Sequence, residues 1–206
     1  MAATPEALVD MRFNRLLDIV DVRDTTGGFC PLPRDLEDAE RLAFIFEPYQ
    51  ELRVSGRLAV RDNEEFREVI CRVCDRIELT RMGFGSRVPL QLGYRVITRS
   101  RFGFVLVDEE NPDARMQMFT DGLRSFVAVR NRPDGLWQYS IGTASVYIPF
   151  PIPDILAALR VAERDPKHTW GGSETIAGCN RIHGSSLSPD RIVTIIESVL
   201  IRQGLV

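Results

Sequence analysis

The sequence has very few lysines and histidines, and it has no long hydrophobic run. Lys167 is the only lysine among its 26 lysine and arginine residues, and His168 and His183 are its only histidines. A formal net charge of -3 argues against a protein that coats nucleic acid through bulk electrostatics, because that mode of binding needs a basic surface. A local groove lined by arginine is still compatible with this composition.

No apolar segment approaches the roughly 20 residues that a helix needs to cross a bilayer. The first residues, MAATPEALVDMRF, also lack the basic flank and apolar core of a signal peptide. We therefore expect a cytoplasmic protein with no membrane partner, whose cysteines at positions 30, 71, 74 and 179 are thiols. Since Cys71 and Cys74 have no second pair at similar spacing, a structural zinc site is not expected.

The first part of the chain predicts helices. Apolar residues recur at helical spacing over residues 5–22, over 36–46 and, most strongly, over 63–80. We expect Pro48 to end the second helix, and Asp62 or Asn63 to cap the third. The third helix has one apolar stripe opposite a charged face, which suits a connector packed on a domain.

From Gly93 onward the hydrophobic pattern alternates, and β-branched and aromatic residues become frequent. The predicted strands are YRVITR, FGFVLVD, RMQMF, SFVAVRN and LWQYSIG, and Arg132-Pro133-Asp134-Gly135 joins the last two in a hairpin. A helix with Pro153 in its first turn and a C-terminal helix over 188–202 follow. The sequence thus predicts an α/β fold: a mixed-sheet domain with flanking helices over 91–206, after a helical segment over 1–50 and a connector over 51–90.

A glycine-rich stretch, WGGSETIAG, covers residues 170–178 and shows no hydrophobic period. The amides of Gly171 and Gly172 can approach an anion closely, because neither residue has a Cβ atom. Ser173 and Thr175 add hydroxyl donors, and Trp170 offers a flat face on which a base or sugar could stack. Two interpretations stay open for this stretch: a site for a phosphate group, or a plain turn between buried elements.

Acidic residues recur every third position near the end of the first predicted helix, at Asp18, Asp21 and Asp24. This spacing could direct two carboxylates at one metal ion or at phosphate-bound magnesium. A solvated acidic helix face explains the same pattern, and the sequence leaves both interpretations open.

The segment RSFVAVRNRPDGLWQYSIG, the helix after it, WGGSETIAG and the C-terminal helix together resemble a known domain. They are similar to the C-terminal substrate-binding domain of DHH-family phosphoesterases, over about residues 91–206. Gly171, Gly172, Ala177 and Gly178 match the glycine loop of that family. Ser173 stands where the family usually has histidine, and Thr175 where it often has arginine.

The same resemblance implies further substrate contacts and a metal. The YSIG turn, with Ser140 and Thr143, looks like the strand end that contacts substrate in this family, and Arg130 on the neighbouring strand would bind phosphate. LLDIVDVRDTTGGF is similar to the closing segment of the catalytic DHH domain, so that Asp21 or Asp24 would be a ligand of its two-metal centre, with manganese or magnesium.

The Asp-His-His signature and the early aspartate-rich motifs of that family do not occur in these 206 residues. We therefore expect the chain to be the C-terminal part of a phosphoesterase, as a truncated gene product or a fragment, and to be inactive alone. The expected ligands are short nucleotides, oligonucleotides or related phosphate esters. Two alternatives stay open, a non-catalytic module that binds RNA or nucleotides and an oligomerisation domain, and a homodimer is compatible with each.

Overall fold

The computed structural model describes residues 10–25, 36–55, 57, 62–109, 111 and 113–205, without the side chains of residues 22–25 and 54. The chain divides into two compact units, whose described residues lie within 10–90 and within 91–205.

The first unit is helical in its described residues. It consists of α1 (Met11–Thr25), α2 (Leu36–Val54) and α3 (Asn63–Met82), and both α1 and α3 contact α2. Asp62 caps α3 as predicted, since its carboxylate accepts hydrogen bonds from the amides of Glu64 and Glu65. The helix expected to act as a connector belongs to this unit, where it contacts α1 and α2.

Helix α2 does not end at Pro48, so that prediction is wrong. Pro48 is buried and lies on the same side of the helix as the buried Ile45 and Leu52. Proline removes one helical hydrogen bond, but burial of the stripe on both sides of it favours a continuous helix.

The second unit is built on a six-stranded sheet. Its strands are β1 (Tyr94–Arg99), β2 (Val105–Glu109), β3 (Ser125–Asn131), β4 (Trp137–Thr143), β5 (Trp170–Gly172) and β6 (Ile176–Cys179), in the spatial order β1-β2-β3-β4-β6-β5. Strands β2 and β3 are parallel and every other neighbouring pair is antiparallel. The sheet is therefore mixed, which confirms the predicted α/β class.

Helices cover both faces of this sheet. Helices α5 (Ile152–Ala162) and α6 (Pro189–Arg202) pack on one face through a core that includes Tyr139, Ile155 and Ile196. Helix α4 (Ala114–Thr120) packs on the other face, against β2 and β3. The two helices predicted after the strands are confirmed as α5 and α6, and each buries an apolar stripe.

The segment RMQMF is helical rather than a strand, because it lies within α4. The alternating burial of Met116 and Met118 imitates a strand pattern, yet methionine and glutamine are also good helix formers. Parallel strands cannot be joined by a tight turn, so the chain must cross over between β2 and β3, and α4 provides that crossover.

The glycine-rich stretch is a hairpin, not an irregular loop. Strands β5 and β6 pair through Trp170 with Cys179, Gly171 with Gly178, and Gly172 with Ala177. Glycine gives no hydrophobic signal, so the period of two in this segment is invisible in the sequence. The turn between the two strands covers residues 173–175.

Candidate functional site

Three residues with small or absent side chains lie side by side on the outer strands of the sheet. The strand register places Ser140 of β4 beside Gly178 of β6, and Gly178 beside Gly171 of β5. Side chains alternate along a strand, and Tyr139 and Ala177 point into the core formed with α5 and α6. Ser140, Gly178 and Gly171, here called the glycine floor, therefore face the opposite side of the sheet.

The glycine floor continues a row of decreasing side-chain size. On the inner strands the same row contains Val107 and Ala128, which pack in the core beneath α4. From Ala128 outward the row passes to Ser140 and then to the two glycines. The backbone of the outer strands is thus accessible on a face where the inner strands carry side chains.

The glycines of this hairpin are not equivalent. A Cβ atom at Gly172, where φ is +149°, would lie 2.3 Å from the carbonyl oxygen of Ile176, and one at Gly178 would lie 2.6 Å from that of Tyr139. Packing of the sheet therefore explains both residues. A Cβ atom at Gly171 would meet no atom of the described residues within 4 Å, and its φ is outside the left-handed region. The fold of the described residues gives no reason for glycine at position 171.

A shallow depression of about 440 Å³ lies at the outer end of the glycine floor. Gly171 and Gly178 line it together with Arg181 and Ile182, and Thr169 and Asn180 complete its polar side. Arg181 forms no ion pair with an acidic residue of the described chain. The depression therefore combines accessible backbone with one exposed positive charge.

A second positive group lies on β3, at the inner end of the site. Arg130 is opposite Gln138, next to the pair formed by Ala128 and Ser140. Its side chain is 41% exposed, and its Nη2 atom is 3.9 Å from Oε1 of Glu109. Glu109 is only 2% exposed, and Arg115 of α4 donates to both of its oxygens, at 3.1 and 2.8 Å. Since Arg115 already pairs with the buried carboxylate, Arg130 can turn to an anion without leaving Glu109 unpaired.

The side chains of two other predicted contacts, Trp170 and Thr143, are buried and form hydrogen bonds within the protein. Trp170 is 3% exposed: its ring stacks on Tyr139 with centroids 5.8 Å apart, and its Nε1 donates to Glu163 at 3.2 Å. Thr143 is 1% exposed, and its hydroxyl donates to the carbonyls of Arg124 and Ser145. β5 and β4 thus direct both side chains into packed surroundings, and the ligand contacts expected of them stay predictions.

Ser173 and Thr175 form the turn of the hairpin. Ser173 Oγ accepts from the amides of Thr175 and Ile176, at 3.4 and 3.2 Å, and lies 3.4 Å from the hydroxyl of Thr175. These hydroxyls thus close the turn. Ser140 differs, because no hydrogen bond to another described residue engages its hydroxyl.

Glu163 fixes the hairpin to the rest of the unit. This buried carboxylate accepts hydrogen bonds from Trp170 of β5 and from the hydroxyls of Ser185 and Ser186. Because Glu163 is also the C-cap of α5, it links that helix to β5 and to the segment after β6. The position of the glycine floor therefore depends on a charged residue outside it.

Cys179 is buried next to the glycine floor but is not a reactive thiol. Burial raises the pKa of the Cys179 thiol to about 11, and the nearby carboxylate of Glu163 acts in the same direction. The thiol is therefore protonated at neutral pH and cannot serve as a nucleophile there.

The acidic residues expected to bind metal belong to the first unit. Asp21 is exposed on α1, and the side chain of Asp24 lies outside the described residues. In the part of the chain that the structure describes, no three His, Cys, Asp or Glu side chains form a group that could hold a metal ion. A two-metal centre needs several such ligands, and the assignment of Asp21 or Asp24 to one stays a prediction.

Sequence reasoning missed Arg115, Arg181 and the buried carboxylate of Glu109. Arg115 could not have been found, because the segment that carries it was assigned to a strand.

Of the described helices, none combines the length and the apolar character that crossing a membrane requires.

No protein-family model matches the sequence, and no curated protein is significantly similar to it.

Proposed function

We propose that the second unit binds the phosphate group of a short nucleotide, an oligonucleotide or a related phosphate ester on the glycine floor. In this proposal the unit is the substrate-binding portion of a phosphoesterase of the DHH type. The observation that carries the proposal is Gly171, which the packing of the described residues does not require to be glycine. A ligand that must approach the backbone closely does require it.

The charges around the glycine floor support an anionic ligand. Arg130 can donate from one end of the row, and Arg181 lies beside the depression at the other end. Guanidinium groups bind phosphate through paired hydrogen bonds, and such charge-assisted bonds are stronger than neutral ones. The hydroxyl of Ser140 adds a neutral donor between them.

We assign binding to these residues and no hydrolytic step. Manganese or magnesium, expected for a complete enzyme of this type, would supply Lewis-acid chemistry to a bound phosphate ester, but the described residues form no site for either. The homodimer and the cytoplasmic location remain parts of the proposal that rest on the sequence alone.

A second candidate function is a non-catalytic module that binds RNA or a nucleotide. The lack of a metal-binding group among the described residues favours it. The two candidates differ in metal dependence, because a substrate-binding portion of a two-metal enzyme holds phosphates that also contact metal. Binding that manganese and magnesium leave unchanged would favour the second candidate.

The test is isothermal titration calorimetry of the full chain with a 5′-phosphorylated dinucleotide and with inorganic triphosphate. We expect Gly171→Ala to weaken binding, because the new methyl group occupies the space that the phosphate needs. The same change is expected to raise the free energy of unfolding slightly, by up to about 1 kcal/mol, because alanine has less conformational freedom than glycine in the unfolded chain.

Two control variants separate this effect from general damage. Ser173→Ala alters the turn of the hairpin and is expected to keep ligand affinity, because its hydroxyl is already used in that turn. Arg99→Ala removes one exposed positive charge from β1, at the other edge of the sheet, and should also bind normally. Absence of binding by the folded wild-type chain would reject the proposal, as would Gly171→Ala binding with wild-type affinity.

A further inference from the structure

Arg132 connects the β3–β4 turn to the depression. Its Nη1 donates to the carbonyl oxygen of Arg181 at 2.8 Å, and its Nη2 donates to that of Ile182 at 2.9 Å. These partners are 49 and 50 residues away in sequence, and both line the depression. One guanidinium group thus binds two successive carbonyls of the segment Asn180–Ile182, here called the outer wall.

The guanidinium group of Arg132 is itself held in place. Asp134 accepts from Nε at 3.1 Å and from Nη2 at 2.8 Å, and this pair lowers the pKa of the Asp134 carboxyl group. The Asp134 carboxylate in turn raises the pKa of the Arg132 guanidinium group. All three nitrogen atoms of the fork are therefore bonded within the protein, which leaves Arg132 unsuited to binding a ligand directly.

A second side chain supports the outer wall from within. Asn180 Oδ1 accepts from the amides of Ile182 and His183, at 2.8 and 3.2 Å, and Asn180 Nδ2 donates to Thr169 Oγ1 at 3.2 Å. Arg181 lies between these attachments, with its backbone fixed on both sides and its side chain exposed. Its carbonyl oxygen accepts a hydrogen bond from Arg132, and Arg181 is one of the residues that line the depression.

We propose that Arg132 is a positioning residue, which holds the outer wall so that Arg181 contacts the anionic group of the ligand. This inference rests on the proposed function, because it concerns the same ligand on the same floor. Arg181 is then the second cationic contact of the site, opposite Arg130. Preorganisation of the backbone of Arg181 lowers the entropy that is lost when the ligand binds.

The test is a double-mutant cycle on ligand affinity, measured with the 5′-phosphorylated dinucleotide. Arg181→Ala removes the direct contact and is expected to weaken binding about 10- to 100-fold, as for other charge-assisted hydrogen bonds. Arg132→Lys keeps the charge but cannot bind both carbonyls as the planar fork does, and we expect about a tenfold loss. The double variant should bind no more weakly than Arg181→Ala alone.

A second pair of measurements covers a failure of Arg132→Lys to fold. Asp134→Asn weakens the orientation of the fork but keeps a residue that suits the turn, and it should reduce affinity in the same non-additive way. Amide hydrogen exchange of the ligand-free protein should be faster at Ile182 and His183 in both variants. Exchange at Ala144, which is bonded to Arg124 in another loop, should be unchanged.

The outcomes separate this inference from the proposed function. If the folded wild-type chain binds neither phosphate compound, the proposed function fails and this inference fails with it. If the wild type binds but Arg132→Lys binds equally well, or if the losses multiply in the double variant, only the positioning role is rejected. Unchanged amide exchange at Ile182 and His183 rejects that role whatever the ligand result.

Discussion

Replacement of Arg115 and of Arg130 by alanine is expected to give opposite results, although both arginines contact the same carboxylate. Arg115 donates twice to Glu109 and its ring-facing guanidinium lies 5.9 Å from the centre of Phe126. Arg130 approaches Glu109 only to 3.9 Å and is much more exposed. We therefore expect Arg115→Ala to destabilise the protein and Arg130→Ala to weaken ligand binding.

The magnitudes follow from the burial of Glu109, which is 2% exposed. Removal of one partner from a buried ion pair leaves an uncompensated charge and costs about 3 to 5 kcal/mol of unfolding free energy. Since Arg130 remains nearby, we expect Arg115→Ala to lie near the lower end of that range. Arg130→Ala removes a long, solvent-screened pair and should cost less than about 1 kcal/mol. Its effect on ligand affinity should be about 10- to 100-fold.

Urea unfolding followed by circular dichroism measures the first quantity, and calorimetry with the 5′-phosphorylated dinucleotide measures the second. Addition of Glu109→Gln to Arg115→Ala should recover most of the lost stability, because the buried charge is then absent. The reasoning is refuted if Arg130→Ala destabilises the protein as strongly as Arg115→Ala does. It is also refuted if Glu109→Gln brings no recovery.

Three further predictions concern the hairpin and its supports. Gly172→Ala should lower the free energy of unfolding by about 1 to 3 kcal/mol in urea titrations, because φ there is +149° and the new Cβ would overlap backbone; wild-type stability would contradict this. Glu163→Ala should lower the free energy of unfolding by about 3 kcal/mol or more, because Trp170 and two serine hydroxyls lose their acceptor. Red-shifted tryptophan emission should accompany this loss, and unchanged emission and stability would count against the prediction. The contribution of Cys179 to the free energy of unfolding should be fully present below about pH 9 and be lost as pH rises towards 11, because burial raises the pKa of its thiol to about 11. In urea titrations at each pH, Cys179→Ala should reduce the loss of unfolding free energy between pH 9 and 11 by about 2 to 3 kcal/mol. A variant with the same pH profile as the wild type would disprove this role of Cys179.

Much of the second unit could be predicted from local chemistry. The turn residues Arg132–Gly135 and the alternating strands around them fix the β3–β4 register, and that register alone pairs Arg130 with Gln138. Ser188 starts α6 as an N-cap with Pro189 after it, as the sequence indicates. In these places the local structure depends on interactions between residues only a few positions apart in the sequence.

Other features depend on contacts that no short segment reveals. Met116 and Met118 alternate as in a strand, and only the parallel pairing of β2 with β3 makes their segment a crossover helix. Pro48 should end a helix by its own chemistry, but burial on both sides keeps α2 continuous. Glu109 lies between Asp108 and Glu110 in the sequence, yet two arginines from different elements contact its buried carboxylate.

The three glycines of the hairpin illustrate the same limit at the candidate site. In the sequence they are alike, and each could be explained by a turn, by packing or by a ligand. Only the pairing of β5 and β6 with β4 separates them, because it places other backbone atoms against Gly172 and Gly178 and leaves space beside Gly171. Packing does not require a residue as small as glycine at position 171, so another cause must explain it. Gly171 is therefore the position at which stability and binding should respond in opposite directions to the same methyl group.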